Sequence, residues 1–369
     1  FENIAFDLVV GNPPFGGRQV KPDVRAYLEK HKFGNETVEA FLHRATELCP
    51  KGNIALISTS KVLFNTSGNH QNFRHFLFSD CYVEKVFNFS ILRRVPKSRG
   101  RNLFDSTSRP ICVFFYSKTQ PSHPSERLQY CAPTTVLKNR MIDGIAIDPT
   151  DVKFLPREEC RKPDSKIWKA AMWGTERDYG LIRVLESYKT LNDIMDEKGW
   201  EKGRGFEISN PLEYTDFEIK NIPFISPEKA TRFFTTKEKT DKIARTGFRR
   251  LGNRAAYKAP HVIIKKGQSD SKFCSSFLDY DCSFGTGLYG IHKDNEEVNL
   301  KVITGSLNSR LAEYLMLLLT GNWGIEREQF MPTEILNLPD LCFSLPEAAK
   351  KEIVGYVDEI IAIRKQEPE

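Results

Sequence analysis

Residues 6–17 read Phe6-Asp7-Leu8-Val9-Val10-Gly11-Asn12-Pro13-Pro14-Phe15-Gly16-Gly17. The run from Phe6 to Val10 is short, mostly apolar and stopped by Gly11, as a buried parallel strand should be. Asn12-Pro13-Pro14-Phe15 cannot extend that strand. Two successive prolines fix φ and hold the chain in a rigid turn. A polar turn at the carboxyl end of a strand lies where open α/β sheets place their ligands.

Working outward, strand and helix signals alternate. Val38, Phe41, Leu42, Ala45 and Leu48 fall on one helical face, with Asn35 as candidate cap and Pro50-Lys51-Gly52 as the stop. Ile54–Ile57 reads as the next strand, Phe73, Phe76 and Leu77 mark a short helix, Val83–Phe89 a further strand, and Ile111–Tyr116 the last. This βαβαβ order predicts an α/β fold, a partial Rossmann-like doubly wound sheet, over residues 1–120. Six prolines between 121 and 163 break any long element, so 121–165 reads as linker and small sheet additions. Residues 166–345 read as an α+β domain with helices over 178–189 and 300–319 and a strand at His261–Lys265. Residues 346–369 form an amphipathic helix with Ile353, Val357, Ile360 and Ile361 on one side.

A chain of 369 residues predicts two domains. With 40% hydrophobic and 28% charged residues it reads as a globular protein, and no stretch approaches the 18 apolar residues of a membrane span. It opens Phe1-Glu2-Asn3-Ile4, without an initiator Met or a basic n-region, so it is expected to be no secretory precursor and to be cut from something longer. The eight cysteines are scattered without a CxxC pair, and the seven histidines include no HExxH. Neither a disulfide framework nor a metal centre is expected, and a reduced, cytoplasmic protein fits best.

The net charge of +6 says little, but its distribution says more. From Lys242 to Ser269 there is no acid, while Arg249, Arg250, Arg254, Lys258, Lys265 and Lys266 are all basic. Such a block is the footprint expected of a nucleic-acid surface, with a solvated loop as the plain alternative.

The chemistry points to the proline turn. An exocyclic amine such as N6 of adenine is a poor nucleophile because its lone pair is delocalised into the ring. Two acceptors aimed at its two N–H bonds draw the nitrogen toward a tetrahedral geometry. The Asn12 side-chain oxygen and the Pro13 carbonyl can provide them, held ready by Pro14. Phe15 offers a flat face for a base, which must leave the duplex to reach such a pocket. Residues 6–17 resemble motif IV of the γ-class amino-methyltransferases, which include the methylase part of single-chain (Type IIG-like) restriction–modification enzymes. Asn-Pro-Pro-aromatic also occurs in glutamine and RNA N-methyltransferases.

Further stretches carry the same resemblance. Residues 103–116, Leu-Phe-Asp-Ser-Thr-Ser-Arg-Pro-Ile-Cys-Val-Phe-Phe-Tyr, resemble the family's motif VIII, whose loop aromatic stacks on the flipped base; Phe104 is the candidate, with a plain core Phe as its alternative. Residues 173–178, Trp-Gly-Thr-Glu-Arg-Asp, resemble the opening of the family's specificity domain. Asn322-Trp323-Gly324-Ile325-Glu326-Arg327, preceded by 307–311 and followed by 334–339, resembles its end. The resemblance implies a sequence-specific DNA adenine-N6 methyltransferase of restriction–modification or phage-defence type. It implies S-adenosyl-L-methionine as methyl donor, double-stranded DNA as partner, and further restriction–modification or defence subunits as compatible partners.

The family's cofactor-binding glycine motif precedes motif IV, yet only 11 residues precede Asn12. The cofactor residues are therefore unknown, and this chain is expected to be inactive alone. Gly285-x-Gly287-x-x-Gly290 is a lone match followed by a polar stretch and reads as a hairpin. Glu218-Ile219-Lys220 imitates a nuclease E-x-K without a suitably placed Asp. Two alternatives stay open: a DNA-binding specificity module without methylase activity, and an RNA N-methyltransferase.

Overall fold

The structure is a computed structural model that describes residues 5–14, 20–94, 109–138, 143–267, 272–321, 323–325 and 330–366. Two compact units divide it, residues 1–182 with 320–327, and residues 183–319 with 328–369.

In the first unit, in chain order, lie β1 (Leu8–Gly11), α1 (Pro22–Lys30), α2 (Thr37–Leu48), β2 (Asn53–Thr59), α3 (Lys61–Phe64), α4 (Gly68–His75), β3 (Tyr82–Asn88), β4 (Ile111–Ser117) and β5 (Arg127–Cys131). The short pair β6 (Thr135–Lys138) and β7 (Asp143–Ala146) follows, then β8 (Val152–Pro156), α5 (Arg157–Cys160), α6 (Lys166–Trp173) and α7 (Glu176–Leu185), whose last residues fall in the second unit. Six strands form one sheet in the order β1-β2-β4-β3-β5-β8. β1 runs parallel to β2, and β3 parallel to β5, but β4 lies antiparallel between β2 and β3. The fold is mixed α/β, and the sheet is not the wholly parallel one that βαβαβ order predicts. Between β3 and β4 the described residues hold only a short 3-10 turn at Ser90–Arg94, so nothing in the described connection forces a parallel crossover. The proline-rich stretch is less of a linker than expected. β5 and β8 extend this sheet, antiparallel to each other.

One face of the sheet carries the core, with Ile54, Leu56, Val83, Val86, Cys112, Phe114 and Tyr116 buried together with Val38, Leu42 and Ala45 of α2. The Tyr116 hydroxyl donates to the Leu42 carbonyl at 2.6 Å and ties β4 to that helix. Phe41, expected on the same face, is exposed, and Asn35 does not cap α2, whose N-cap position is Glu36. β1 differs most from its sequence reading. Leu8 is 60% and Val10 71% exposed, because Val9 is the β1 residue packed against the core and its two neighbours alternate to the opposite face of the sheet.

The second unit holds α8 (Leu191–Glu197), β9 (Glu201–Arg204), β10 (Tyr214–Thr215), β11 (Phe224–Ile225), β12 (Phe233–Phe234), β13 (Gly247–Phe248), β14 (His261–Lys265), β15 (Ser275–Leu278), β16 (Ser283–Phe284) and β17 (Leu288–His292). It closes with α9 (Glu297–Leu307), α10 (Arg310–Leu319), α11 (Pro332–Leu336) and α12 (Glu347–Gln366). Its main sheet has the order β12-β15-β14-β17-β9. The helix expected over 300–319 is two helices. Asn308 and Ser309 form the corner, the Asn308 amide bridging both backbone groups of Ser275 (2.7 and 3.1 Å) while Ser309 Oγ accepts from Ala312 N. The amphipathic C-terminal helix does bury Val357 and Ile361, and Ile353 sits close to Gly305 of α9. No helix among the described residues is long and apolar enough to cross a membrane.

All eight cysteines are buried and unpaired. Burial pushes the thiols up, to about 11 for Cys131 and Cys274 and about 12 for Cys81 and Cys342, so none is a thiolate at neutral pH. In the native protein a water-soluble disulfide reagent should therefore label none of them within minutes, and all eight after guanidinium unfolding. Rapid native labelling of two or more would contradict this packing.

Candidate active site and nucleic-acid interface

The candidate turn begins where β1 stops. Register fixes it: Leu8 pairs with Asn53 and Gly11 with Leu56, so Asn12 emerges at the carboxyl edge of the sheet. A Cβ on Gly11 would meet Leu56 Cδ2 at 3.2 Å, so the strand's last residue has little room for a side chain. Gly52 is tighter still, its missing Cβ facing the Asp7 backbone, and Asn53 N–H donates to the Asp7 carbonyl at 2.9 Å. Asn12 is exposed, Pro13 is buried and Pro14 is exposed. The buried ring anchors the turn while the Asn12 amide faces solvent. Phe15 lies outside the described residues.

The antiparallel β4 matters to this edge. Its first residues pair with the carboxyl ends of both neighbours, Ile111 with Thr59 and Cys112 with Asn88. The segment preceding Ile111 must therefore arrive at the edge where Asn12 leaves. Phe104 lies outside the described residues. Two strand spacings separate β4 from β1, roughly 10 Å.

Behind this edge lies a polar network that sequence reading missed. Asn88 Oδ1 accepts from Ser60 Oγ (3.0 Å), Ser90 Oγ (2.5 Å) and Ser90 N (3.0 Å), and its amide donates to Tyr130 Oη (2.8 Å). Asn88, Ser60 and Ser90 are at most 1% exposed. Burial raises the Tyr130 phenol far above its ordinary range, so it stays neutral. The one available signal was an Asn ending the apolar strand Val83–Phe89 at an inward position.

The basic block folds differently from its sequence. Arg249 and Arg250 both pair with Glu207, at 3.3 and 2.8 Å. Arg254 pairs with Asp216 and, at 2.9 Å, with Glu218. A run free of acids is therefore not free of neighbouring acids, because residues 207–218 bring three carboxylates to it. The Ser209 hydroxyl, then the two arginines, hold the Glu207 carboxyl below its usual range. Lys258 is exposed and Lys265 half-buried, while burial lowers the Lys266 ammonium. Glu218-Ile219-Lys220 lies in a 3-10 turn, not on a strand, with Glu218 committed to Arg254.

The glycines at 285–290 do not fit a dinucleotide or S-adenosyl-L-methionine turn. Gly290 is inside β17, paired with Ile263 and Gly203, and its missing Cβ makes room for Phe284 and Ala256; Gly287 makes room for Pro227. No helix opens directly after them, and they are not a β16–β17 hairpin either, since β16 pairs with β11. The stretches likened to a specificity domain have local roles. Thr175 Oγ1 and N both bind the Asp178 carboxylate at the start of α7, and Lys169 donates to the Trp323 carbonyl.

Comparison with known proteins agrees with part of this picture. Residues 1–94 match the Eco57I restriction-modification methylase family model. No curated protein matches the chain. The Type IIL restriction-modification enzyme MmeI, solved in complex with DNA, is 13% identical with a TM-score of 0.54, over 98% of this chain and 50% of that one. The ATP-dependent Type ISP restriction-modification enzyme LlaBIII, solved bound to DNA, is 11% identical with a TM-score of 0.51, over 100% of this chain and 30% of that one. The chain thus spans half or less of the length of these structures, and at such identities the likeness is one of fold.

Proposed function

We propose that this chain is the base-holding part, with its DNA-recognition domain, of a DNA adenine-N6 methyltransferase of restriction–modification or phage-defence type. The observation that carries it is the Asn12-Pro13-Pro14 turn at the carboxyl edge of β1, inside the segment matching a restriction-modification methylase. Asn12 Oδ1 and the Pro13 carbonyl accept the two N–H bonds of the target amine and turn its lone pair outward. Phe15 stacks on the extruded base, and Phe104 closes on it from the segment entering β4. S-adenosyl-L-methionine, when bound, supplies an electrophilic methyl group. The described residues offer no fitting turn for it, and we place its site beside the open edge of β1.

In the second unit we assign phosphate contacts to Lys258, Lys265 and Lys266 and to the arginines 249, 250 and 254, the latter after exchange of carboxylate for phosphate. A full-length parent protein given labelled methyl donor should methylate adenine in duplex DNA and not in RNA. Methylation of RNA alone, or duplex binding without any methyl transfer, would favour the two other readings. Log affinity should fall linearly with log salt by about 0.9 per phosphate contacted. Lys258→Gln should weaken cognate and scrambled duplex alike and flatten that slope by about one unit. Glu207→Gln should act oppositely, releasing two arginines. If neither these changes nor Gln at the other five basic positions moved the slope, the block would be a solvated loop.

A further inference from the structure

Four side chains from α1 and α2 converge outside the candidate active site. Tyr27 and His31 are four residues apart at the end of α1, and His43 and Glu47 four apart on α2, so each pair shares one helical face. The turn leaving α1 sets the first pair. Phe33 N–H donates to the Leu28 carbonyl (2.9 Å) and Lys32 N–H to Glu29 (3.0 Å), with Lys32 at φ 55°. That is the paired bonding of a left-handed helix stop, here without the usual glycine. It makes His31 the C-cap and turns Phe33 inward.

The His31 and His43 imidazoles are tilted 45° to each other, ring centroids 4.3 Å apart. Tyr27 Oη is 2.5 Å from His43 Nδ1 and 3.4 Å from Glu47 Oε2. One ligand atom each from His31, His43 and Glu47 lie within 4.8 Å of one another. Arg44 takes Glu47 Oε2, while Oε1 faces His43 Nδ1 at 4.0 Å. Phe33 and Phe76 pack against the His43 ring, at 5.2 and 4.6 Å.

We infer that His31, His43 and Glu47 form a binding site for a zinc-class divalent cation, with Tyr27 orienting His43. Tetrahedral zinc with bonds of about 2.0–2.1 Å holds its ligand atoms roughly 3.4 Å apart, so side-chain rotation of about an ångström closes the set. Two imidazoles and one carboxylate suit zinc, cobalt or nickel, and disfavour magnesium and calcium, which take oxygen ligands. Three protein ligands leave a fourth position for water. The bound ion clips α1 to α2, elements that follow the Asn12-Pro13-Pro14 turn in the chain. None of this depends on the methyltransferase reading.

The test is titration of the whole chain, stripped with chelator and dialysed, with zinc chloride by calorimetry, and with cobalt chloride by visible absorption. One equivalent should bind saturably, cobalt should give the intense visible bands of a four-coordinate site, and zinc should raise the melting temperature. His31→Gln and Glu47→Gln remove ligands that are half-buried and exposed, so they should fold, and each should weaken binding by about 10-fold or more. Tyr27→Phe should keep the stoichiometry and weaken binding less. Absence of saturable zinc binding, or binding unchanged in both Gln variants, overturns the site. The second result would place zinc on the cysteines or elsewhere.

Discussion

Asn12→Ala in the full-length enzyme should lower methyl transfer roughly 100-fold or more, with duplex affinity nearly unchanged. The size follows from removing one preorganised polar contact to charge that develops in the transition state, worth on the order of 10²–10³ in turnover. On the proposed reading Asn12 acts on the reacting amine and does not position the duplex, so the loss should fall on the single-turnover rate constant for methyl transfer. Asn12 is exposed, so truncation should change the melting temperature little. Steady turnover within a few-fold of wild type would remove Asn12 from the chemistry, and with it the motif assignment. A collapse in duplex affinity would make Asn12 a DNA contact instead.

Asn88→Ala should destabilise the first unit by about 3 kcal/mol. The amide makes four hydrogen bonds to buried groups, on Ser60, Ser90 and Tyr130. Truncation strands donors and an acceptor where water cannot reach, and each orphaned group costs about 1 kcal/mol or more. For a unit of this size the melting temperature should drop by roughly 6–12 °C. Calorimetry decides it, and a drop under about 2 °C would mean that water enters the site or that the two serines satisfy each other. Their hydroxyls already lie 2.6 Å apart, which bounds the loss from above.

How much was legible follows from the range of the interactions. Local patterning placed β2, β3 and β4 within a residue or two, because short apolar runs and the breakers Gly52 and Pro110 act over a few positions. The turn at Asn12 was legible for the same reason, since proline restricts φ wherever it occurs. The C-terminal helix declared its buried face through Val357 and Ile361.

The rest depends on partners far along the chain. The antiparallel direction of β4 is a choice between two ladders, made by packing on β2 and β3, and no residue within β4 encodes it. The exposure of Leu8 and Val10 reflects which face of β1 the core packs against, whereas their apolar character is local. The charge of the basic block was legible but its compensation was not: Glu207 and Asp216 precede Arg250 and Arg254 by 43 and 38 positions, and only the fold closes those gaps. The same holds for His31 and His43, whose helices must pack before two ordinary histidines become a pair 4.3 Å apart. By itself, then, the sequence determined β1 to β4, β14 and the rigid polar turn, because these follow from backbone restriction and side-chain type. The tertiary structure decided strand direction, which charges stay unpaired and which imidazoles meet, because each is set by through-space contact between segments that local propensity does not connect.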